Sequence, residues 1–166
     1  QGNFAPEIDR TTADFQGPIA LVIGGENLKK EGGFNVLVPV NGTDTARRGA
    51  EIAFAIAAAQ DGKTIALHVA DRRAAPARSR LRRRKTERAL EGDIKALARR
   101  YGHENIVNAM HTQGEPHEAI LAEAKESQSD LIVLGTNRRI GDHLAVGQTA
   151  ARVMEKWKGA MIVVVI

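Results

Sequence analysis

Five short runs of apolar, largely β-branched residues recur along the chain, at positions 34–40, 64–70, 105–110, 130–135 and 160–166. They are apolar at successive positions rather than alternate ones, the pattern of strands covered on both faces. Between them the apolar residues change to helical spacing. Ala46, Ala50, Ala53 and Ala57 fall at i, i+4, i+7 and i+11 and predict a helix with a narrow, small-residue face that can lie close on a sheet. Leu90, Ile94, Leu97 and Tyr101 repeat that spacing. A third helix opens at Gly114-Glu115-Pro116, where Pro116 suits a first turn, and its period buries His117, Ile120, Leu121 and Ala124. Val146, Thr149, Ala150, Val153, Met154 and Trp157 form the stripe of a fourth. This alternation predicts an α/β fold: a doubly wound, Rossmann-like, five-stranded parallel sheet with helices on both faces.

Ahead of these elements, residues 18–23 make a sixth β-like run, followed by Gly24-Gly25 and a polar stretch to Gly33. An extra strand is expected here, at the sheet edge beside 160–166. Residues 1–33 are otherwise read as a linker and 34–166 as the domain. Gln1 stands where an initiator methionine would, and residues 1–16 lack the charged start and apolar middle of a secretory signal, which points to a piece of a longer chain. The longest apolar stretches fall far short of the roughly 20 residues that span a bilayer.

Composition narrows the chemistry. With 166 residues, 43% of them apolar, the chain fits one soluble domain with a real core. The absence of cysteine excludes disulfide scaffolds, thiolate metal sites and cysteine nucleophiles. His68, His103, His111, His117 and His143 have no paired ligand spacing, so no metal is expected. There is no G-x-S-x-G elbow, and Ser79, Ser127 and Ser129 lie outside the loops after the first and fourth strands, so an enzyme is not expected. Aromatics at 4% argue against stacking bases on the sheet, and nucleic acid is disfavoured as a partner. Charge is uneven: between Arg72 and Arg88 stand eight Arg and one Lys against Glu87, a local excess larger than the +4 of the whole chain. Such a segment has the composition of a nucleic-acid or anionic-lipid patch, although a solvated insertion is the commoner case.

In open α/β sheets, ligands bind beyond the carboxyl ends of the strands where the strand order reverses. Two loops fit that position. The first is Pro39-Val40-Asn41-Gly42-Thr43-Asp44, with a tight turn at Asn41-Gly42 and a helix cap at Thr43 or Asp44. The second runs from Gly135-Thr136-Asn137-Arg138-Arg139 to Gly147-Gln148-Thr149. Its glycines, its helix start and its arginines suit phosphate, while the plainer reading is that Gly135 and Gly147 end a strand and begin a helix.

Val36-Leu37-Val38-Pro39-Val40-Asn41-Gly42-Thr43, Leu67-His68-Val69, Gly114-Glu115-Pro116 and Leu131-Ile132-Val133-Leu134-Gly135 with the downstream Gly147 together resemble the universal stress protein domain. The resemblance covers residues 34–166. It implies the strand order 3-2-1-4-5 and, in nucleotide-binding members, ATP or another adenine nucleotide across the switch point. The family's signature reads G-x-x-G, nine residues, then G-[S/T]. Here Arg138 stands for the second glycine, only eight residues separate it from Gly147, and Gln148 replaces the hydroxyl residue. Arg138 could pair with a phosphate or fill the space that a triphosphate needs. The resemblance puts the family's acidic adenine-side residue at Asn41 and the base-lining positions at Pro39 and Val69. The resulting nucleotide candidates are Pro39, Val40, Asn41, Val69, Gly135, Thr136, Asn137, Arg138, Gly147, Gln148 and Thr149.

Arg138-Arg139-Ile140-Gly141-Asp142 is similar to the variant in stress-protein domains fused behind cation/proton antiporters. That implies a cytoplasmic regulatory module sensing a nucleotide or small anion. Its partners would be a membrane transporter domain of the same polypeptide, a second copy through the last strand, and anionic lipid touched by the segment from Arg72 to Arg88. The alternatives are a stand-alone ATP-binding stress protein and a basic nucleic-acid-binding protein.

Overall fold

The computed structural model describes residues 2–12, 15, 17–25, 28, 32–69, 77–102, 108–110, 115–136 and 145–165. In chain order these form β1 (Gly2–Asn3), α1 (Pro6–Thr12), β2 (Ile19–Ile23), β3 (Asn35–Val40), α2 (Asp44–Ala59), β4 (Lys63–Val69), α3 (Ala77–Arg100), β5 (Asn108–Met110), α4 (Pro116–Glu126), β6 (Leu131–Thr136), β7 (Ala145–Val146), α5 (Gln148–Lys156) and β8 (Ala160–Val165).

Six strands make the main sheet in the order β2-β8-β6-β3-β4-β5. The five expected runs pair in parallel, in the expected order 3-2-1-4-5. The expected extra strand is β2, antiparallel to β8, with Ile19 opposite Val165 and Ile23 opposite Met161. Because β2 takes the outer place, β8 is an interior strand.

Successive strand residues feed two cores, one on each face. Val36, Val38 and Val40 of β3 join Ala50, Ala53, Phe54 and Ala57 of α2 and Ile94, Leu97 and Ala98 of α3. Leu37 points to the other face, with Leu67, Ile120, Ile132 and Val153. Full burial of a side chain such as Phe54 or Leu37 contributes roughly 1.5–3 kcal/mol. The small face of α2 behaves as its spacing predicts: Ala46, Ala50, Ala53 and Ala57 are all buried.

Three details depart from the sequence reading. On α4 the buried residues are Ala119, Ile120, Glu123 and Ala124, whereas His117 and Leu121 are half-buried. The helix is turned so that Glu123, not His117, is among its buried residues. The start of the chain, read as linker, carries β1 and α1, because Phe4, 9% exposed, and Ile8 reach the core beside Val146, Ala150 and Val153. The helix expected around Leu90 to Tyr101 begins earlier, so that of the basic segment 72–88 residues 77–88 are the first half of α3, and 72–76 lie outside the described residues.

Candidate functional site

Asn41 follows β3 and organises the turn into α2. Its Oδ1 accepts from the Thr43 backbone N–H at 3.2 Å and from Thr43 Oγ1 at 2.7 Å. Thr43 in turn is the N-cap, its Oγ1 accepting from Ala46 N at 3.3 Å and lying 3.0 Å from Thr45 Oγ1. With Oδ1 occupied twice, Asn41 has its amide NH2 left for a ligand. The neighbouring strand end is fixed by His68, whose Nδ1 lies 3.0 Å from the Val40 carbonyl oxygen and donates to it.

The adjacent strands β3 and β6 pair through only two positions, Val36 opposite Leu131 and Leu37 opposite Ile132. Beyond them the ladder stops, and a cleft of about 200 Å³ opens at the carboxyl ends. Its walls are apolar, from Pro39, Leu67, Val69, Ile120 and Leu134. Asn41, Gly135 and Thr149 stand at its rim. The volume admits a flat ring and leaves the rest of a nucleotide to lie along the rim, since whole drug-sized ligands need roughly 300 Å³ or more.

On the far side, Gly147 is the N-cap of α5 and supplies no side-chain cap, so among the described residues no side chain takes the first-turn N–H groups of that helix. The Gly147 N–H itself donates to Thr136 Oγ1 at 3.2 Å. Thr136, a candidate contact, is buried and ties the end of β6 to the start of α5. Pro39, Val40, Asn41, Val69, Gly135 and Thr149 therefore meet around one cleft. Gln148 is exposed beside it. Asn137 and Arg138, with the rest of 137–144, lie outside the described residues.

Sequence reasoning missed the walls supplied by Leu67, Pro116, Ile120 and Leu134. Pro116 and Ile120 were legible only as helix start and helix core. Their spacing of four puts them on one face of α4, the signal that could have found them.

The displaced titrations lie away from the cleft. Burial, with Glu126 nearby, pushes the Glu123 carboxyl up. The hydrogen bond from Lys95 holds Glu91 down, and Glu51 raises Arg48. Among the described lining residues none carries a titratable side chain, so the polar character of the cleft comes from amide and hydroxyl dipoles. Among the described residues no group of three or more His, Asp or Glu could hold a metal ion, and no helix is long and apolar enough to cross a membrane.

A sequence model of the universal stress protein family matches residues 34–164. A universal stress protein of Methanocaldococcus jannaschii is 27% identical over 155 residues, covering 87% of each chain. Among solved structures, the universal stress protein of Archaeoglobus fulgidus in complex with dAMP superposes with a TM-score of 0.61 at 18% identity, covering 79% of this chain and 97% of that one. A universal stress protein in complex with cAMP gives 0.57 at 24% identity, covering 77% and 93%. The family match spans β3 to β8, the strands whose order reverses at the cleft, and on that match this chain belongs to the universal stress protein family.

Proposed function

We propose that this domain is a binding module that senses an adenine nucleotide, with the base between Pro39 and Val69 and the phosphate toward the first turn of α5. The observation that carries this reading is the cleft itself, whose apolar walls face hydrogen-bond donors at its rim. An aromatic base suits the walls, and phosphate oxygens suit the donors. The dAMP and cAMP held by two proteins of the same fold support adenine as the base.

Gly147 adds to the argument. Its backbone, at φ −60° and ψ 157°, is open to any residue, and a Cβ would meet nothing nearer than Thr136 Oγ1 at 3.9 Å. Nothing among the described residues requires a glycine there, so close approach by a ligand gives it a role. The same openness makes Gly147→Glu a useful test, because it adds bulk and negative charge where, among the described residues, a Cβ meets no close neighbour. Calorimetric titration with AMP, cAMP and ATP is expected to show binding that Gly147→Glu abolishes. Binding that survives the substitution would put the nucleotide elsewhere.

The reading is of sensing rather than turnover, and the nucleotide is expected to be recovered unchanged after incubation. An intracellular nucleotide as ligand would set the domain in the cytoplasm. Coupling to a cation/proton antiporter, the expectation attached to Arg138–Asp142, would make the nucleotide the input and transport the output. A stand-alone stress protein would use the same cleft, and the reading frame upstream of Gln1 separates the two.

A further inference from the structure

The hydrogen bonds at the mouth of the cleft run in one direction. Thr43 Oγ1 accepts from Ala46 N and donates its own proton to Asn41 Oδ1, because an amide oxygen has none to give. Thr45 Oγ1, 3.0 Å away, is therefore the donor of its pair with Thr43. The Thr43 backbone N–H, which can only donate, also ends on Asn41 Oδ1 and so fixes which way the amide is turned. The chain of bonds closes on that oxygen. What Asn41 leaves for a ligand at the exposed rim is its NH2, a group that donates and cannot accept.

Strand order decides which part of a nucleotide meets that NH2. Asn41 follows Pro39 by two residues and lines the same cleft. It stands at the end of β3, between β4, which ends at Val69, and β6, which ends at Thr136 and is tied there to the start of α5. A nucleotide with its base at Val69 and its phosphate toward α5 thus carries its sugar past Asn41. Among the described lining residues no carboxylate is present to take a hydroxyl proton or to repel an anion. A free 3′-hydroxyl brings a proton that Asn41 cannot accept. A phosphate closed onto the same sugar oxygen brings acceptors alone, and its charge strengthens each hydrogen bond from the amide.

We propose that Asn41 is a specificity-determining residue of the cleft, selecting a 3′,5′-cyclic adenine nucleotide over one with a free 3′-hydroxyl. This assignment rests on the nucleotide reading of the cleft and names the class of nucleotide that the reading leaves open.

The test is calorimetric titration of the intact chain and of Asn41→Asp with cAMP and with AMP. Aspartate forms the same turn, keeping one oxygen for Thr43 and presenting the other, a charged acceptor, where the NH2 stood. Unchanged thermal unfolding of the variant excludes misfolding as the cause of any loss. The parent is expected to bind cAMP more tightly than AMP, by about threefold or more. The variant is expected to lose affinity for cAMP about tenfold or more, while its affinity for AMP changes by less than about threefold. Equal losses for the two ligands would mean that the new charge acts on any phosphate in the cleft, and would overturn the assignment. A parent that prefers AMP, measured without any substitution, would overturn it too. If neither nucleotide binds the parent, the nucleotide reading itself falls; if both bind and the substitution leaves their ratio unchanged, only the role of Asn41 falls.

Discussion

Thr45 and Gly135 meet backbone to backbone: a methyl group on Gly135 would overlap the Thr45 carbonyl oxygen and stand 2.9 Å from the Ala46 nitrogen. The first turn of α2 can lie on β6 only because no side chain is there. Gly135, which the sequence offers as a phosphate-loop glycine, is thus explained by packing alone. Among the described residues Gly147 has no such neighbour.

The contrast is measurable in urea unfolding. Gly135→Ala forces two backbones apart and is expected to cost at least about 2 kcal/mol, within or above the usual range for overpacking. Gly147→Ala is expected to change stability by less than about 1 kcal/mol, since the space is open and the dihedral angles ordinary. A loss at Gly135 as small as that at Gly147 would mean that α2 can draw back from β6 freely.

Glu123 predicts an inverted acid response. The residue as a whole is 7% exposed and its carboxyl is pushed up by burial, so the folded chain holds that proton more tightly than the unfolded chain. Its contribution to stability therefore falls as pH rises from the ordinary carboxylate range, about 4.3, to the raised folded value, and then levels off. Glu123→Gln is expected to melt at a higher temperature than the parent near neutral pH and at the same temperature near pH ~3. If the variant melts lower at neutral pH, the charged carboxylate has a favourable partner.

Removal of residues 1–33 tests the edge made by β2. It would strip the partner from Met161–Val165 and leave an apolar strand with unpaired backbone groups, a surface that invites pairing. Analytical ultracentrifugation is expected to show increased self-association of the 34–166 chain. An unchanged mass, with unchanged amide exchange in β8, would show that β2 contributes nothing to covering that edge.

What was legible in the sequence is what repeats locally. The apolar runs and the alanine face of α2 set strands, helices and layers; the run at 18–23 read as a strand, and its place beside β8 came from the argument that an apolar final strand at the sheet edge invites a partner. The wall residues of the cleft and the packing role of Gly135 were not legible, because each depends on a contact with a distant residue: Thr45 is ninety positions from Gly135. Glu123 was missed for a different reason. Hydrophobic periodicity assigns a carboxyl to the wet side, and only the rotation of α4 shows it inside. At the start of the chain, one aromatic residue, Phe4, anchors a segment whose composition otherwise reads as a tether.

The antiparallel course of β2 brings the beginning of the chain to the end of the sheet where the cleft opens, and there Gly2 and Asn3 pair with Val146 and Ala145, just before Gly147. A pull on the first residues would thus be transmitted straight to the cleft's rim.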